Sequence, residues 1–347
     1  MSPSPAEAPG PTAIDGARPD RKRAPSRLVW LSLVLAAVLL YTTLRDLDWS
    51  AFWNTIKSGH YEILLLTIPI ASANYFLRAV RWSVLVRSET KVAILSVFWA
   101  NMVGYMGNAY LPARAGELLR SAFLGQKKGL GTSFVLATAL SERILDAVTL
   151  VLVGSVALVS HGQIAPPLAS GVRLMAGVAV LGLAVLLTAP FQELRIVRIL
   201  GRLPLPETMS QTICQQAVRF LIGMRSLQNA RRMVAFALLT AVIWLVDALG
   251  SCIGVRIISQ TLSLSQAMIL LAALGLSSAV PSTPGYVGVY QYVAVTVLMP
   301  FGFSRPEALA YILIGQVLNY MVVSFWGLLG LWRINAHSDS AGTPAEP

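Results

Sequence analysis

The residues of this chain that could do chemistry lie inside or beside strongly apolar stretches. Residues 108–120 read "NAYLPARAGELLR" and combine a proline, a glycine, two arginines and a glutamate. Arg114 and Arg120 bracket Glu117. An arginine fork binds two phosphate oxygens at once, and the backbone N–H groups freed at a broken helix add to an anion site. The stretch therefore predicts a binding site for an anionic group, with Arg114 as its main cation.

A second polar cluster, "SERILD", occupies residues 141–146. Glu142 and Asp146 are four residues apart and share a helix face, and Arg143 can pair with Asp146. Charges inside membrane segments usually face the interior and mark a site. The alternative is that Arg143 and Asp146 form a purely structural ion pair, and that Arg114 pairs in the same way with Glu117 or Glu142. The predicted head-group residues are Arg114, Arg143, Glu117, Glu142 and Asp146, with the carboxylates orienting the arginines or exchanging protons.

Both polar stretches with proline contain the pattern Pro-x-x-x-Gly. It spans Pro112–Gly116 in the first stretch and Pro281–Gly285 in the second, "AVPSTPGYVGVYQY". Broken helices of this kind are tolerated at membrane depth only where protein or water surrounds them. The hydroxyl and amide groups nearby either line a polar path or satisfy the broken backbone. The predicted path residues are Asn108, Arg120, Asp247, Ser278, Thr283, Tyr286 and Tyr290.

The composition is that of a membrane protein. Of 347 residues, 55% are hydrophobic and 12% are charged, and the mean hydropathy is +0.65. Soluble domains have roughly 25% charged residues, and several apolar runs approach the ~20 residues that span a bilayer. The net charge of +11 fits loops that face anionic lipid. No nucleic-acid-binding motif is visible, so nucleic acid is not an expected partner.

Signatures of an enzyme are sparse. The two cysteines are far apart, the three histidines form no His-Glu-x-x-His pattern, and no Walker A motif is present. The Asp-x-Asp of "RDLD", residues 45–48, is predicted to lie on the outer side of the membrane, and no nucleotide-binding domain surrounds it. We expect no enzymatic activity, no cofactor and no metal. The alternative to this expectation is that the protein is an enzyme, namely a lipid-linked glycosyl or acyl transferase with Glu142 or Asp146 as its base.

Basic residues orient the apolar segments, because cytoplasmic loops are enriched in lysine and arginine. Residues 78–91 carry Arg78, Arg81, Arg87 and Lys91, and residues 120–128 carry Arg120, Lys127 and Lys128. If both regions face the cytoplasm, then 92–128 is a re-entrant hairpin, and the same reasoning makes 265–303 a hairpin from outside. The predicted apolar segments are 28–44, 61–82, 92–109, 131–159, 170–190, 233–257, 265–280, 285–300 and 307–332.

The predicted fold is therefore an all-α polytopic membrane protein. It has about six full transmembrane helices plus two re-entrant, broken helical hairpins in an inverted repeat, with the N-terminus in the cytoplasm. The predicted organisation is a disordered tail 1–26, a membrane domain 27–333 and a disordered tail 334–347. Within the membrane domain we expect repeat one at 61–160, an interfacial amphipathic linker at 191–232 and repeat two at 233–333.

Four spaced motifs carry a resemblance to a known family. "FLRAVRW", "NAYLPARAGELLR", "SERILD" and "PSTPGYVG" occur in the order expected for the transmembrane region of lysylphosphatidylglycerol synthases, also called the flippase-like family. The resemblance covers roughly residues 28–333. Its best-understood members join this region to a soluble aminoacyl-transferase domain, and move an aminoacylated phospholipid to the outer leaflet. The positions that match by motif are Arg114, Gly116, Glu117, Glu142, Arg143, Pro281 and Gly285.

The resemblance implies lipid handling without lysyl transfer, because only a short tail follows Trp332. We expect a protein of the bacterial inner membrane that binds and translocates an anionic phospholipid or a polyprenyl-phosphate-linked lipid. The alternative is a membrane scaffold that anchors a cytoplasmic lipid-modifying enzyme through the basic region 191–232. That enzyme and membrane lipids are the expected partners.

If Arg114 is the main cation of the site, Arg114→Ala should abolish lipid movement without unfolding the protein. The measurement is native mass spectrometry of bound lipids beside a transport assay, for the wild type and the variant. Transport at the wild-type rate in the variant would refute the role of Arg114.

Overall fold

The computed structural model describes residues 27–111, 115–127, 129–161, 166–202, 206–278 and 283–339. These residues form helices, turns and short 3-10 segments, and no strand occurs among them. The α-helices are α1 (Arg27–Leu44), α2 (Trp49–Lys57), α3 (Leu64–Val86), α4 (Ile94–Tyr110), α5 (Gly116–Lys127), α6 (Thr132–His161), α7 (Pro166–Thr188), α8 (Glu193–Gly201), α9 (Glu207–Arg225), α10 (Ala230–Gly254), α11 (Leu264–Ser277), α12 (Val289–Leu298) and α13 (Arg305–Asp339).

Several helices are long and apolar enough to cross a membrane. Four such stretches occur in the described part of the chain, and they are Tyr61–Val86, Ala176–Gly201, Ala230–Ile258 and Arg305–Arg333. A fifth candidate is the pair α1 and α2, whose axes are bent by 88°. The prediction of an all-helical, multi-pass membrane protein is confirmed, while the count of six spans plus two hairpins stays a prediction. The tail 1–26 lies outside the described residues.

Each predicted apolar segment corresponds to a helix, and α2 is an addition that the sequence analysis missed. α2 begins after the "RDLD" motif, and the carboxylate of Asp48 accepts a hydrogen bond from the backbone N–H of Ala51 at 3.0 Å. Asp46 pairs with Arg45 at 2.9 Å. The Asp-x-Asp pattern therefore caps and steadies a helix start.

α4 and α5 form an antiparallel pair of short helices in direct backbone contact. A Cβ atom on Gly104 would lie 2.8 Å from Cβ of Arg120, and one on Gly107 would lie 2.9 Å from Cα of Gly116. Small residues allow two helices to approach this closely. The break between the helices falls in the predicted hairpin tip; Pro112 lies outside the described residues.

α11 and α12 form the second short pair, and the turn between them is tied to α13. Gly285 has a φ of 68° and Gly288 a φ of 87°, a backbone conformation that favours glycine. The carbonyl of Gly285 accepts hydrogen bonds from Tyr320 Oη at 3.0 Å and from Gln316 Nε2 at 3.2 Å. Gln316 also accepts a hydrogen bond from Gln291, whose side chain caps the N–H of Gly288. Pro281 lies outside the described residues.

The helix order long, short, short, long occurs twice, as α3–α4–α5–α6 and as α10–α11–α12–α13. Two large apolar cores are centred on these halves. Trp82, Val97 and Phe134 belong to the first core, and Ile269, Leu298 and Leu309 belong to the second. Phe236 of α10 and Val323 of α13 also belong to the first core. The halves meet where α3 packs on α10 and α13 packs on α4. This order agrees with two repeats; their inverted relation stays a prediction.

Part of the charge count used for the topology is wrong. Arg78 and Arg81 belong to α3 and Arg120 belongs to α5, and all three form ion pairs in the interior instead of facing a loop. Arg81 and Arg120 are fully buried. Counting charges along the sequence could not distinguish these arginines from loop residues, because an arginine near the end of a helix can be either buried or exposed. Arg87 and Lys91 remain as basic residues that follow α3.

The predicted linker consists of two helices, α8 and α9, separated near "LPLPE" as the sequence indicates. α9 packs on α6 through Leu221 and Met224, while α8 has no buried residue. The linker therefore contributes to the first core along α9. At the other end, α13 continues to Asp339, past the predicted end of the membrane domain at residue 333.

Gly116→Ala should destabilise the α4–α5 pair. The new Cβ would lie 2.6 Å from the backbone N of Asn108 and still closer to the carbonyl oxygen of Gly104, and overpacking of this kind costs about 1–3 kcal/mol. The measurement is the thermal unfolding midpoint in detergent. Gly177→Ala in α7 is the control, because no atom lies within 4 Å of its new Cβ; an equal fall in both variants would contradict the packing argument.

Candidate functional site

α3 carries three polar residues on one face. Asn74, Arg78 and Arg81 are separated by four and then three residues, so their side chains point to the same side of the helix. That side faces the centre of the protein, where α6 and α10 present carboxylates. Ionised groups in a membrane interior need partners of opposite charge. The pairs they form define the centre of the structure.

Arg81 is fully buried and holds two carboxylates of α6. Its Nη2 lies 2.6 Å from Glu142 Oε1, and its Nη1 lies 2.6 Å from Asp146 Oδ1. Nη1 also donates to the hydroxyl of Thr240 at 3.2 Å. The guanidinium lies 4.9 Å from the ring centroid of Phe236, within cation–π distance. As the spacing predicts, Glu142 and Asp146 share one face of α6.

Arg120 approaches Glu142 from the opposite side. Its Nη2 lies 3.0 Å from Glu142 Oε2 and 2.6 Å from Glu117 Oε2, and its Nη1 donates to Asn101 Oδ1 at 2.6 Å. The guanidinium lies 4.5 Å from the ring centroid of Trp82. Glu142 therefore has one arginine on each carboxylate oxygen, and the three side chains link α3, α5 and α6.

A polar cavity of about 370 Å³ lies beside this network, at the centre of the protein. Its volume falls in the range of ~300–1,000 Å³ that small-molecule sites usually have. The charged residues that line it are Arg78, Glu117, Arg143 and Asp247. The neutral polar residues that line it are Asn74, Tyr75, Tyr105, Asn108, Ser278, Tyr286, Tyr290, Gln316, Asn319 and Tyr320.

One end of the cavity is formed by the pair Arg78 and Asp247. Nη2 of Arg78 contacts Asp247 Oδ2, and Nδ2 of Asn74 donates to the other carboxylate oxygen. The guanidinium of Arg78 lies 5.4 Å from the ring centroid of Trp244. This pair joins α3 to α10 and places one charge of each sign at the cavity surface.

Arg143 is the cavity cation with spare donor capacity. Its Nε lies 3.1 Å from Glu117 Oε1, and its Nη1 lies 3.7 Å from Asp146 Oδ2. Its Nη2 has no hydrogen-bond partner among the described residues. The side chain is 24% exposed and lines the cavity, while its Nε and Nη2 atoms are themselves buried. A bound anion would complete the set of partners that a guanidinium requires.

The second short helix pair supplies a neutral, aromatic surface. The rings of Tyr286 and Tyr290 stack with centroids 4.7 Å apart, and both line the cavity beside Gly285. Tyr75 from α3 donates to Asn319 of α13 on the same surface. The cavity thus has ion pairs on the side of α3, α5 and α6 and tyrosines with amides on the side of α12 and α13.

The predicted site residues separate into groups in the structure. Those that line the cavity are Arg143, Glu117, Asn108, Asp247, Ser278, Gly285, Tyr286 and Tyr290. Glu142, Asp146 and Arg120 lie behind the cavity in the buried network, and Gly116 packs against α4. The hydroxyl of Thr283 donates to the carbonyl of Val287 at 2.8 Å. Arg114, Pro112 and Pro281 lie outside the described residues.

Sequence reasoning missed Asn74, Arg78 and Arg81 as site or network residues. A signal was present: "NYFLRAVR" places three polar groups at helical spacing within an apolar run. Tyr75 and Tyr105 had no such signal, because tyrosines in a membrane helix serve equally well at lipid interfaces. Gln316 and Asn319 of α13 join helices, since they bond to Gln291 of α12 and Tyr75 of α3.

Glu142→Gln should destabilise the protein strongly. Removing this carboxylate leaves Arg81 and Arg120 each short of a buried partner, and breaking a buried ion pair costs about 3–5 kcal/mol. The measurement is the free energy of unfolding in detergent. The matched control is Glu193→Gln, which breaks the half-exposed pair with Arg225 and should cost less than about 1 kcal/mol. Equal losses would show that Glu142 does not support the fold.

Comparison with known proteins identifies the family. Residues 29–327 match the family described as the lysylphosphatidylglycerol synthase TM region, a range that contains every lining residue of the cavity and the whole ion-pair network. No curated protein matches the chain. The match extends over most of the 347 residues and agrees with the apolar helices that could span a membrane. The chain therefore belongs to the lysylphosphatidylglycerol synthase TM region family and is a multi-pass membrane protein related to lipid handling.

Proposed function

We propose that this protein binds the anionic head group of a lipid in the central cavity and moves that lipid across the membrane. The observation that carries the proposal is Arg143, which lines the cavity and whose Nη2 is buried without a hydrogen-bond partner in the part of the chain that the structure describes. A guanidinium binds phosphate through two parallel N–H···O contacts. A phosphate at Arg143 competes with Glu117 for the guanidinium, which lowers its affinity and favours release.

The charge balance of the interior supports a division of roles. Among the described residues, four arginines of the interior form ion pairs with four carboxylates. The arginines are Arg78, Arg81, Arg120 and Arg143, and the carboxylates are Glu117, Glu142, Asp146 and Asp247. Arg81 and Arg120 are enclosed by their partners and stabilise the fold. Arg143 and Arg78 line the cavity and can exchange a carboxylate partner for a phosphate. The head group is therefore expected at the Arg143 end or between these two arginines.

The arrangement of the short helices supports movement of the lipid. The cavity lies between the α4–α5 pair and the turn that leads into α12. In the sequence, the long helices α3 and α6 flank the first short pair, and α10 and α13 flank the second. In transporters with inverted repeats, broken helices meet at a central site, and rocking of one repeat against the other opens that site to alternate sides. We propose this mechanism, with both pairs re-entrant and the N-terminus in the cytoplasm of a bacterial inner membrane. No covalent step is involved.

The lipid substrate is either an anionic phospholipid or a polyprenyl-phosphate-linked lipid, since both present a phosphate. The scaffold alternative retains one supporting feature, namely α8, which has no buried residue and leaves Leu194 80% exposed. Such a face fits the membrane surface as well as a protein partner. Deleting 191–232 does not discriminate between the two, because it would also remove the contacts of α9 with α6.

Arg143→Gln should weaken binding of phosphatidylglycerol roughly tenfold or more, because a charged hydrogen bond contributes about 1.5–3 kcal/mol. The measurements are native mass spectrometry of bound lipid and the translocation rate of a fluorescent phosphatidylglycerol in proteoliposomes. Arg305→Gln is the matched control: Arg305 is similarly exposed at 28% and also pairs with a carboxylate, that of Asp46, but lies away from the cavity. Unchanged binding and translocation in Arg143→Gln would refute the proposal.

A further inference from the structure

A narrow apolar groove adjoins the central cavity. It has a volume of about 240 Å³ and lies between α3, α10 and α13, the three helices whose stretches Tyr61–Val86, Ala230–Ile258 and Arg305–Arg333 are each apolar enough to span a membrane. The groove and the cavity share Ala71, Asn74, Asp247 and Leu271 as lining residues. A ligand in the cavity can therefore extend directly into the groove.

The glycines of this groove leave space instead of bringing helices together. A Cβ on Gly250 would lie 3.6 Å from Ile70 Cγ2, one on Gly254 would lie 3.9 Å from Thr67 Cγ2, and one on Gly315 would meet nothing within 4 Å. The glycines between α4 and α5, in contrast, have no room for a Cβ. A glycine inside a helix costs about 1 kcal/mol relative to alanine, and close packing, the usual compensation in membrane helices, does not apply at these three positions.

A buried polar atom marks the junction of groove and cavity. Asn74 is only 4% exposed and lines both spaces. Its Nδ2 donates to the carboxylate of Asp247, which fixes the orientation of the amide because a carboxylate can only accept. Its Oδ1 has no hydrogen-bond partner among the residues that the structure covers. A buried, unpaired acceptor is costly, so it indicates a donor on a ligand that is held at this point.

We propose that this groove holds one hydrocarbon chain of the lipid whose head group occupies the central cavity, and that Asn74 Oδ1 accepts a hydrogen bond from a hydroxyl or N–H group of that lipid at the junction. The inference rests on the proposed function and specifies how the substrate is held. A space of about 240 Å³ is below the ~300 Å³ of small-molecule pockets, so it fits a single chain. The groove walls are apolar apart from the junction and a few hydroxyls, with Ile70, Val246, Ile314 and Leu318 among them.

The test uses phosphatidylglycerol with a photoreactive diazirine at the end of one acyl chain, in phosphatidylcholine nanodiscs that hold the full chain. Crosslinked peptides are identified by mass spectrometry. We expect labelling at Ile70 and Leu318 at least fivefold above that at Leu181, which is 66% exposed on α7 and represents simple contact with bulk lipid. Gly250→Leu should fill the groove and remove this excess, whereas Gly250→Ala should retain it, since a Cβ fits there.

Unfolding midpoints verify that both Gly250 variants are folded, and a second variant, Gly315→Leu, blocks the groove from the α13 side if Gly250→Leu does not fold. Groove labelling no higher than at Leu181, or unaffected by both leucine variants, would overturn the inference. In that case the proposed function still stands if Arg143→Gln lowers phosphatidylglycerol binding. Labelling that the leucine variants block, but that is equal for phosphatidylglycerol and phosphatidylcholine and unaffected by Arg143→Gln, would support the chain site and overturn the head-group proposal.

Discussion

The carboxylate of Glu142 joins three helices at the centre of this structure. One oxygen accepts from Arg81 and the other from Arg120, so α3, α5 and α6 meet at a single fully buried group. In a bilayer an uncompensated charge is far costlier than in water, so each of these helices is held in the one register that pairs all the charges. The aromatic faces of Trp82 and Phe236 cover the same guanidinium groups and exclude competing water.

This network also determines where a ligand can bind. Arg81 and Arg120 are fully buried among their partners, so in the proposed function the side chains that line the cavity recognise the ligand. Arg143 is the clearest of these, since it lies near Asp146 of the network, lines the cavity and has an unpaired Nη2. The buried ion pairs of Glu142 and the proposed binding residue Arg143 are therefore neighbours within one turn of α6.

The two halves fix their short helices by different chemistry. In the first half, glycines let α4 and α5 touch, and ion pairs to α6 hold them. In the second half, the strained turn at Gly285 is held by neutral side chains, Gln316 and Tyr320 of α13. Hydrogen bonds between neutral groups are individually weaker than charge-assisted ones. The groove lies between α3 of the first half and α10 and α13 of the second.

The sequence by itself determined the class of protein, the helices and most of the polar positions. Apolar runs set the membrane helices, because each must satisfy its own backbone in lipid. Prolines and glycines placed both breaks, and helical spacing put Glu142 and Asp146 on one face. Spacing along one helix carries no information about the partner across the interface. Only the tertiary structure could therefore decide that Arg78, Arg81 and Arg120 are buried and that Arg143 faces the cavity. The open space at Gly250 and Gly315 was likewise invisible in the sequence, since a glycine that permits contact and one that preserves a groove are the same letter.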